Sequence, residues 1–198
     1  MERLLQQLDF IIEADKLKNI IRRNYISDGS KRENDAEHSW YFALTAMILS
    51  EYADNEVDVQ KVIKMAIIHD LVEIYAGDTF IYDEKGKESQ KERERIASEK
   101  IFGLLPEDQK KYYLELWNEF EGNSTNESKF ARSIDRIVPV LLNMKSNGLG
   151  WKENKIGYTQ VYEISSRIAG GSSTLWHYIK EKLEENKDRG LFYHSELQ

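Results

Sequence analysis

Residues 58–78, DVQKVIKMAIIHDLVEIYAGD, decide the fold of this chain. Their apolar side chains recur every three or four residues, which is the spacing of an amphipathic α-helix with one buried face. The apolar stripe predicted to face the core consists of Val59, Val62, Ile63, Ala66, Ile67, Leu71 and Ile74. Asp58 is placed to cap the start of this helix, and Gly77 to end it.

The same helical spacing recurs along most of the chain. Helices are predicted over residues 4–14, 35–52, 58–77, 90–104, 106–121, 127–146 and 158–187. In the first helix the apolar face consists of Leu4, Leu5, Leu8, Ile11 and Ile12. Asp35 is predicted to cap the second helix, whose inward residues would be Tyr41, Phe42, Thr45, Ile48 and Leu49. No alternating strand, repeat or interdomain linker is recognisable, so we expect a single all-α domain of six or seven helices.

Polar and glycine-rich segments separate these helices. Residues 27–35, SDGSKREND, predict a loop, and the glycines between residues 148 and 157 predict another. The charge run at residues 83–95, DEKGKESQKERER, is interpreted as a solvated loop or an exposed helix face. Residues 1–188 would then form the domain, and residues 189–198 a C-terminal tail.

The composition excludes several classes of function. The 198 residues include no cysteine, which rules out disulfides, zinc–thiolate sites and thiol nucleophiles. A net charge of -7 argues against polymeric nucleic acid and against an anionic membrane surface. No apolar run reaches the length of a membrane span, and acidic residues interrupt the apolar ones at the start of the chain, unlike in a signal peptide. We therefore expect a cytoplasmic protein without nucleic-acid or membrane partners.

Four polar side chains occupy inward positions where core residues are expected: His38, His69, Asp70 and Asp135. A carboxylate turned toward a core costs several kcal/mol unless it has a partner. Imidazole nitrogens and carboxylate oxygens from three helices can converge on a divalent ion, such as Mn, Co, Fe, Ni or Zn, with Mg as a further option. Pro139 would kink the helix at Asp135. A structural ion-pair cluster, for example between His38 and Asp70, is the alternative that spacing alone leaves open.

The segments that carry these residues resemble a known family. They are KRENDAEHSW (31–40), HDLVEIYAGD (69–78), SIDRIVPVLLN (133–143) and GWKENKIG (150–157). In this order they resemble the HD-domain 5′-deoxynucleotidases of the HD phosphohydrolase superfamily, over nearly the whole chain. The resemblance implies an HD-domain helical bundle, a homodimer, and a metal-dependent phosphatase that converts 2′-deoxyribonucleoside 5′-monophosphates to deoxyribonucleoside and phosphate.

The resemblance also implies roles for single residues. The residues that match the family's metal ligands are His38, His69, Asp70 and Asp135. Glu73 matches a carboxylate that handles the attacking water, and Arg23 an arginine associated with the substrate phosphate. Asp78, followed by Thr79, matches an acid near the sugar or near a second cation, which Glu73 would share. One branch of the family has tryptophan directly after that arginine, whereas this chain has Asn24, at a position expected to contact the sugar and base.

A basic segment precedes the first of the two inward histidines. Residues 16–32 contain six basic side chains and one acidic side chain, a net charge of +5. Arg23 is the first choice for a phosphate contact because a guanidinium can bind two phosphate oxygens at once, and Arg32 and Arg22 are the reserves. A solvated basic loop is the alternative. Glu73 would orient the attacking water or relay a proton to the leaving 5′ oxygen, or else clamp a metal ligand.

Two other functions stay open at this point. One is another nucleotide phosphohydrolase or phosphodiesterase of the same superfamily. The other is a non-catalytic helical module that binds a nucleotide or a protein partner and keeps the polar cluster for stability. Outside the cluster, His177 is interpreted as a surface or packing residue and His194 as part of the tail. Trp117, Trp151 and Trp176 are interpreted as core or subunit contacts.

Overall fold

The computed structural model describes residues 1–194, and its secondary structure is almost entirely helical, which confirms the all-α prediction. The α-helices of this part of the chain are α1 (Glu2–Ala14), α2 (Asp35–Leu49), α3 (Val59–Ile68), α4 (Glu73–Ala76), α5 (Glu84–Phe102), α6 (Glu107–Gly122), α7 (Asn126–Lys145), α8 (Leu149–Glu153), α9 (Tyr158–Ser166) and α10 (Ser173–Glu185). Seven of them have ten or more residues, and α4, α8 and α9 are shorter. None of these helices combines the length and the hydropathy that a membrane span requires.

A short β-hairpin is present although no strand was expected, and its second strand lies within the predicted loop of residues 27–35. β1 (Ile21–Tyr25) pairs with β2 (Arg32–Asn34) in antiparallel orientation, with an irregularity in the register. The short, charged strands do not alternate polar and apolar residues, so the sequence pattern does not reveal them. The hairpin brings the partly buried Arg22 beside the buried Glu33, with Arg22 Nε 3.8 Å from Glu33 Oε2.

Asn34, and not Asp35, caps α2, so that part of the prediction was wrong. The Asn34 side chain accepts a hydrogen bond from the Glu37 backbone N–H at 2.9 Å. The Glu37 carboxylate in turn accepts one from the Asn34 backbone N–H at 3.1 Å. This reciprocal pair satisfies the helix end, so the carboxylate of Asp35 is left free to face the interior.

The predicted helix over residues 58–77 is divided at its polar residues. Asp58 caps α3 as predicted, accepting hydrogen bonds from the next backbone N–H groups. A 3₁₀ turn over His69–Val72 then separates α3 from α4. Gly77 ends α4 as predicted, with a φ of 76° that disfavours a side chain. A second 3₁₀ turn, Arg167–Gly170, likewise divides the predicted last helix into α9 and α10.

The core surrounds α7, which packs against α2, α3, α6 and the 3₁₀ turn that follows α9. Pro139 lies inside α7, and because it has no N–H it leaves the Asp135 carbonyl without its helical partner. Trp117 and Trp151 are buried and Trp176 is half-buried against the core, which confirms their interpretation as core residues.

Two apolar helix faces are exposed among the described residues, and at Ile48 this contradicts the prediction. The first, which we call the α1 face, consists of Leu4, Leu5, Leu8, Ile11 and Ile12, which are between 45% and 69% exposed. The second, which we call the α2 face, consists of Trp40, Leu44, Met47 and Ile48. Ile48, predicted to face inward, is 65% exposed. Helical spacing identifies an apolar stripe, but it does not say which surface covers that stripe.

Part of the predicted tail packs into the domain. Leu191 and Phe192 are buried, and the Phe192 ring stacks on Trp151 with 5.1 Å between centroids. A Cβ atom on Gly148 would lie 1.8 Å from the Leu191 carbonyl oxygen, so only glycine fits there. The rest of the predicted tail, residues 195–198, lies outside the described residues.

Candidate metal centre

The four side chains singled out as metal ligands meet in the interior. His38 comes from α2, His69 and Asp70 from the 3₁₀ turn, and Asp135 from α7. His38 Nε2 lies 3.1 Å from Asp135 Oδ1, and His69 Nε2 lies 3.9 Å from the same oxygen. His69 Nε2 also lies 2.9 Å from Asp70 Oδ1. The structure thus groups one ligand atom each of His38, His69 and Asp135 within 4.8 Å of one another, and it places Asp70 beside His69 but in an adjoining group of carboxylates.

The hydrogen bonds of His69 leave one of its nitrogens without a partner. His69 Nδ1 lies 2.9 Å from the Ala66 carbonyl oxygen, which is only an acceptor, so Nδ1 carries a proton. Nε2 is buried and has no hydrogen-bond partner among the described residues; Asp70 Oδ1 is near but not in hydrogen-bonding geometry. In the neutral imidazole, a nitrogen lone pair therefore faces carboxylate oxygens with no proton between them. This donor set fits a shared divalent cation.

His38 is enclosed on both sides by carboxylates. Its Nδ1 lies 3.6 Å from Glu33 Oε2, and both atoms are buried without a hydrogen-bond partner. Burial and the charge of Arg22 would lower the pKa of His38, but the carboxylates of Asp135 and Glu33 outweigh them and raise it to about 9. Without a cation at this point, His38 holds a proton that balances the carboxylates at neutral pH. A cation bound here would take the place of that proton.

A second, carboxylate-only cluster adjoins the first. Oxygens of Asp35, Asp70 and Glu73 lie within 4.8 Å of one another. Arg22 Nη1 donates hydrogen bonds to Asp35 Oδ1 at 3.0 Å and to Asp70 Oδ2 at 2.8 Å. Burial and the neighbouring Asp70 raise the pKa of Asp35 to about 6 and the pKa of Glu73 well above its usual range. Glu73 is therefore grouped with Asp35 and not with Asp78, its expected partner at a second cation.

Two acidic residues of this site were not singled out from the sequence. Glu33 and Asp35 are both buried and both interact with Arg22. They lie five and three residues before His38 in the segment KRENDAEHSW, where Asp35 was taken for a helix cap. The sequence feature that could have identified them is an acidic residue on each side of Asn34, the N-cap, shortly before a buried histidine.

A cavity of about 430 Å³ opens beside both clusters, a size that suits a small-molecule ligand. Its basic lining residues are Arg22, Arg23, Lys87, Lys91, Arg132, Arg136 and Arg167. Its acidic lining residues are Asp70, Glu73, Asp78, Glu94, Glu121 and Asp135. Seven positive charges against six give the lining a net charge of +1, in a chain whose net charge is -7. The cavity is therefore suited to an anionic ligand.

Arg22 and Arg23 follow each other on β1 but differ in their surroundings. Arg22 is surrounded by carboxylates, whereas Arg23 is exposed, lines the cavity, and forms no ion pair with any described residue. Arg32, also expected to bind substrate, is not brought to the cavity. Its Nη2 donates to Glu153 Oε1 at 2.8 Å. Of the three arginines considered from the sequence, Arg23 is the one that lines the cavity without an ion pair to a described residue.

The loop between α4 and α5 forms one wall of the cavity. Asp78 and Thr79 line this wall, and burial raises the pKa of Asp78. Arg93, from the charge run taken for an exposed helix face, donates hydrogen bonds to the Thr79 hydroxyl at 2.8 Å and to the Ala76 carbonyl. One residue of that charge run therefore fixes the loop that carries Asp78.

The remaining histidines lie outside the site. His177 is on the exposed side of α10, with Nε2 3.3 Å from Glu181 Oε1, which confirms its interpretation as a surface residue. His194 is exposed near the end of the described chain.

Comparisons with known proteins give a consistent result. A family model described as HD domain matches residues 14–176. The mouse protein 5′-deoxynucleotidase HDDC2 is 32% identical over 160 residues, which cover 80% of this chain and 77% of the mouse protein. The solved structure of a predicted metal-dependent phosphohydrolase from Magnetospirillum magnetotacticum MS-1 is 44% identical, with a TM-score of 0.92 over 98% of this chain and 97% of that chain. A conserved hypothetical protein from Pyrococcus furiosus is 26% identical, with a TM-score of 0.63 over 90% and 97%.

Proposed function

This chain belongs to the HD-domain family, and on that premise we propose that it is a metal-dependent phosphatase that hydrolyses 2′-deoxyribonucleoside 5′-monophosphates to deoxyribonucleoside and phosphate. The observation that carries the proposal is the unpartnered Nε2 of His69, which faces carboxylates beside a positively lined cavity. The name of the mouse relative, a 5′-deoxynucleotidase, supports the substrate class.

We propose that the metal ligands are His38, His69, Asp70 and Asp135. Nitrogen and oxygen donors without sulfur suit Mn, Co, Fe, Ni or Zn, with Mg as a further option. When bound, such an ion supplies a water molecule of lowered pKa and polarises a phosphoryl oxygen. Asp70 and Asp135 balance the two charges of the ion, so a phosphate dianion needs further positive charge from side chains.

Arg23 supplies that positive charge. It lines the cavity, and its guanidinium forms no ion pair with a described carboxylate. Its planar fork can donate two hydrogen bonds to phosphate oxygens, which fixes the orientation of the phosphorus as well as its charge. Arg22, with the same charge, is held by Asp35 and Asp70 and serves to neutralise those carboxylates.

Glu73 is the proton-handling residue of the proposed reaction. It lines the cavity, and its Oε2 is buried without a hydrogen-bond partner in the described part of the chain. Burial and the neighbouring carboxylates of Asp70 and Asp35 raise its pKa, which favours the protonated form of the carboxyl in the absence of a cation. From this position it can pass a proton to the 5′ oxygen of the leaving nucleoside.

The direct experiment is an elemental analysis followed by a phosphate-release assay. We expect bound metal, and turnover of deoxyribonucleoside monophosphates with added Co, Mn or Mg. Both should be lost in Asp70→Ala and kept in Asp188→Ala, a matched control at an exposed residue. Absence of metal and turnover in the wild type would favour the non-catalytic module. Equal rates on ribose and deoxyribose substrates would contradict the deoxy preference alone, and faster release from a phosphodiester would favour the phosphodiesterase.

We also propose that the chain forms a homodimer through the α1 and α2 faces and acts on mononucleotides in the cytoplasm. The α1 and α2 faces expose nine large apolar side chains, and a second copy offers the same apolar faces in return. Light scattering should give twice the chain mass for the wild type and one chain mass for the double variant Ile12→Glu and Ile48→Glu. Tyr178→Glu, at an exposed position on α10, should stay dimeric. A monomeric wild type would contradict the proposal.

A further inference from the structure

A second group of hydrogen-bond donors lies in the same cavity, away from β1. Arg132 and Arg136 are one turn apart on α7, Ser165 is near the end of α9, and Arg167 begins the 3₁₀ turn that follows. All four residues line the cavity. We name these four residues the arginine wall. Neither the metal ligands nor the contacts proposed for Arg23 and Glu73 use any of them.

Two donors of the arginine wall are buried without an acceptor. Arg136 Nη1 donates to the Arg132 carbonyl of its own helix at 2.7 Å, but Arg136 Nε has no hydrogen-bond partner among the described residues. The Ser165 hydroxyl is equally unpartnered, on a residue that is 1% exposed. A buried donor without an acceptor is destabilising, so these groups call for an acceptor that the described residues do not provide.

The arginine wall also carries unbalanced charge. Arg132 pairs with Glu121 at 3.1 Å, whereas Arg167 forms no ion pair with any described residue. The carboxylate nearest to Arg136 in sequence is Asp135, which already faces His38. Among the described residues, only Arg132 of these three arginines forms an ion pair, although the charge of Asp135 also acts on Arg136. An excess of about two positive charges matches a phosphate dianion.

The geometry of α7 separates the arginine wall from the metal ligands. Successive side chains leave an α-helix about 100° apart, so Asp135 and Arg136 point in different directions. Asp135 Oδ1 contacts His38, whereas Arg136 lines the cavity together with Arg167 and Ser165. A ligand that spans the cavity can therefore contact both places at once.

We propose that the arginine wall is a second oxyanion site, which holds a phosphate group other than the one that is hydrolysed. The preferred substrates are then nucleotides that carry two phosphates, such as deoxynucleoside 3′,5′-bisphosphates. This inference rests on the proposed function for the reaction itself, but the binding of phosphate at the arginine wall does not depend on turnover.

The kinetic test compares deoxyadenosine 3′,5′-bisphosphate with deoxyadenosine 5′-monophosphate. We expect kcat/KM for the bisphosphate to be higher by about tenfold or more, the factor expected for one charged hydrogen-bonding contact. In Arg167→Gln that ratio should fall to near one, with partial recovery in Arg167→Lys. Arg95→Gln, an exposed arginine on α5 that pairs with Glu92, is the matched control and should keep the ratio. A wild-type ratio near one would overturn the inference. So would equal losses on both substrates in Arg167→Gln, since the arginine would then serve the scissile phosphate.

A binding test separates this inference from the proposed function. Calorimetry with inorganic phosphate should show a site that Arg167→Gln weakens by about tenfold and that Arg95→Gln leaves intact. If the protein hydrolyses no nucleotide but shows this site, the proposed function fails and the oxyanion site stands, with free phosphate as its ligand. Phosphate binding that is sensitive to Arg23→Gln and insensitive to Arg167→Gln would overturn the oxyanion site.

Discussion

Within the described residues, histidine rings meet carboxylates in two regions: the buried cluster of His38 and His69, and the exposed pair of His177 and Glu181 on α10. His69 Nε2 is 2.9 Å from Asp70, with side chains only 4% and 9% exposed. His177 Nε2 is 3.3 Å from Glu181 on α10, with side chains 77% and 57% exposed. Distance alone does not separate the two pairs. The difference lies in burial, in the second histidine and the carboxylates around His69, and in the buried Nε2 of His69, which has no hydrogen-bond partner among the described residues.

The sharpest way to break this comparison is to change each histidine in the same way. We expect His69→Gln to lose bound metal and to lower the rate of phosphate release at least about 1000-fold, because the ion contributes several kcal/mol to the transition state. His177→Gln should change neither quantity. Elemental analysis and phosphate release measure both. Equal behaviour of the two variants would mean that the buried pair is an ordinary ion pair.

The second comparison is between a carboxylate of the buried cluster, Glu73, and the exposed carboxylate of Glu181. Glu73→Gln keeps the shape of the side chain but cannot transfer a proton, so kcat should fall about 100-fold to 1000-fold while the bound metal is retained. Glu181→Gln should leave kcat unchanged. Loss of metal from Glu73→Gln would show instead that Glu73 supports the ligands and does not handle the proton.

The third comparison is between two arginines, one without an ion pair and one in an ion pair. Arg23 lines the cavity without an ion pair, whereas Arg32 is paired with Glu153. Arg23→Gln should lower kcat/KM by about 10-fold to 100-fold, as expected for a charged contact to phosphate. Arg32→Gln should lower it less than about twofold. Steady-state kinetics on one deoxyribonucleoside monophosphate measures both values of kcat/KM. A larger decrease in Arg32→Gln than in Arg23→Gln would mean that Arg32, and not Arg23, contacts the phosphate.

The smallest expected effect is a pH dependence of thermal stability. The pKa of His38, raised to about 9, lies above that of an unfolded histidine. Its proton therefore stabilises the metal-free fold fully below about pH 6.5, and this stabilisation is lost as the pH rises toward 9. A bound metal ion replaces the proton, so the difference in Tm between metal-loaded and metal-free protein should widen by roughly 5 °C from pH 6.5 to 9. Calorimetry at several pH values measures it, and a constant difference would contradict the assignment of His38.

The sequence was most informative where a residue broke a pattern. Asp70 and His69 interrupt an apolar stripe, and a charged residue is tolerated in a core only with a partner, so these positions could be found by spacing alone. The helices followed from the same periodicity. The division of the third helix at His69 could not be found, because apolar spacing hardly changes between an α-helix and a single 3₁₀ turn.

What the sequence did not reveal depends on tertiary contacts. Glu33 and Asp35 look like an ordinary acidic loop until the hairpin brings Arg22 beside them. The apolar side of α1 was recognised as a stripe, but whether the chain itself covers that stripe is a property of the whole surface. Arg136 and Ser165 lie 29 positions apart in the chain, and only the packing of α7 with the turn after α9 places them in one wall.

The stacking of Phe192 on Trp151 makes the end of the described chain part of the cavity's architecture. Trp151 lines the cavity on one side and is backed by Phe192 on the other. A truncation or a fused tag that displaces Phe192 would therefore let the indole shift and reshape the cavity, with every proposed site residue unchanged. The shape of the proposed nucleotide site can thus be adjusted from the carboxyl end of the described chain, at a position more than fifty residues after the last proposed metal ligand.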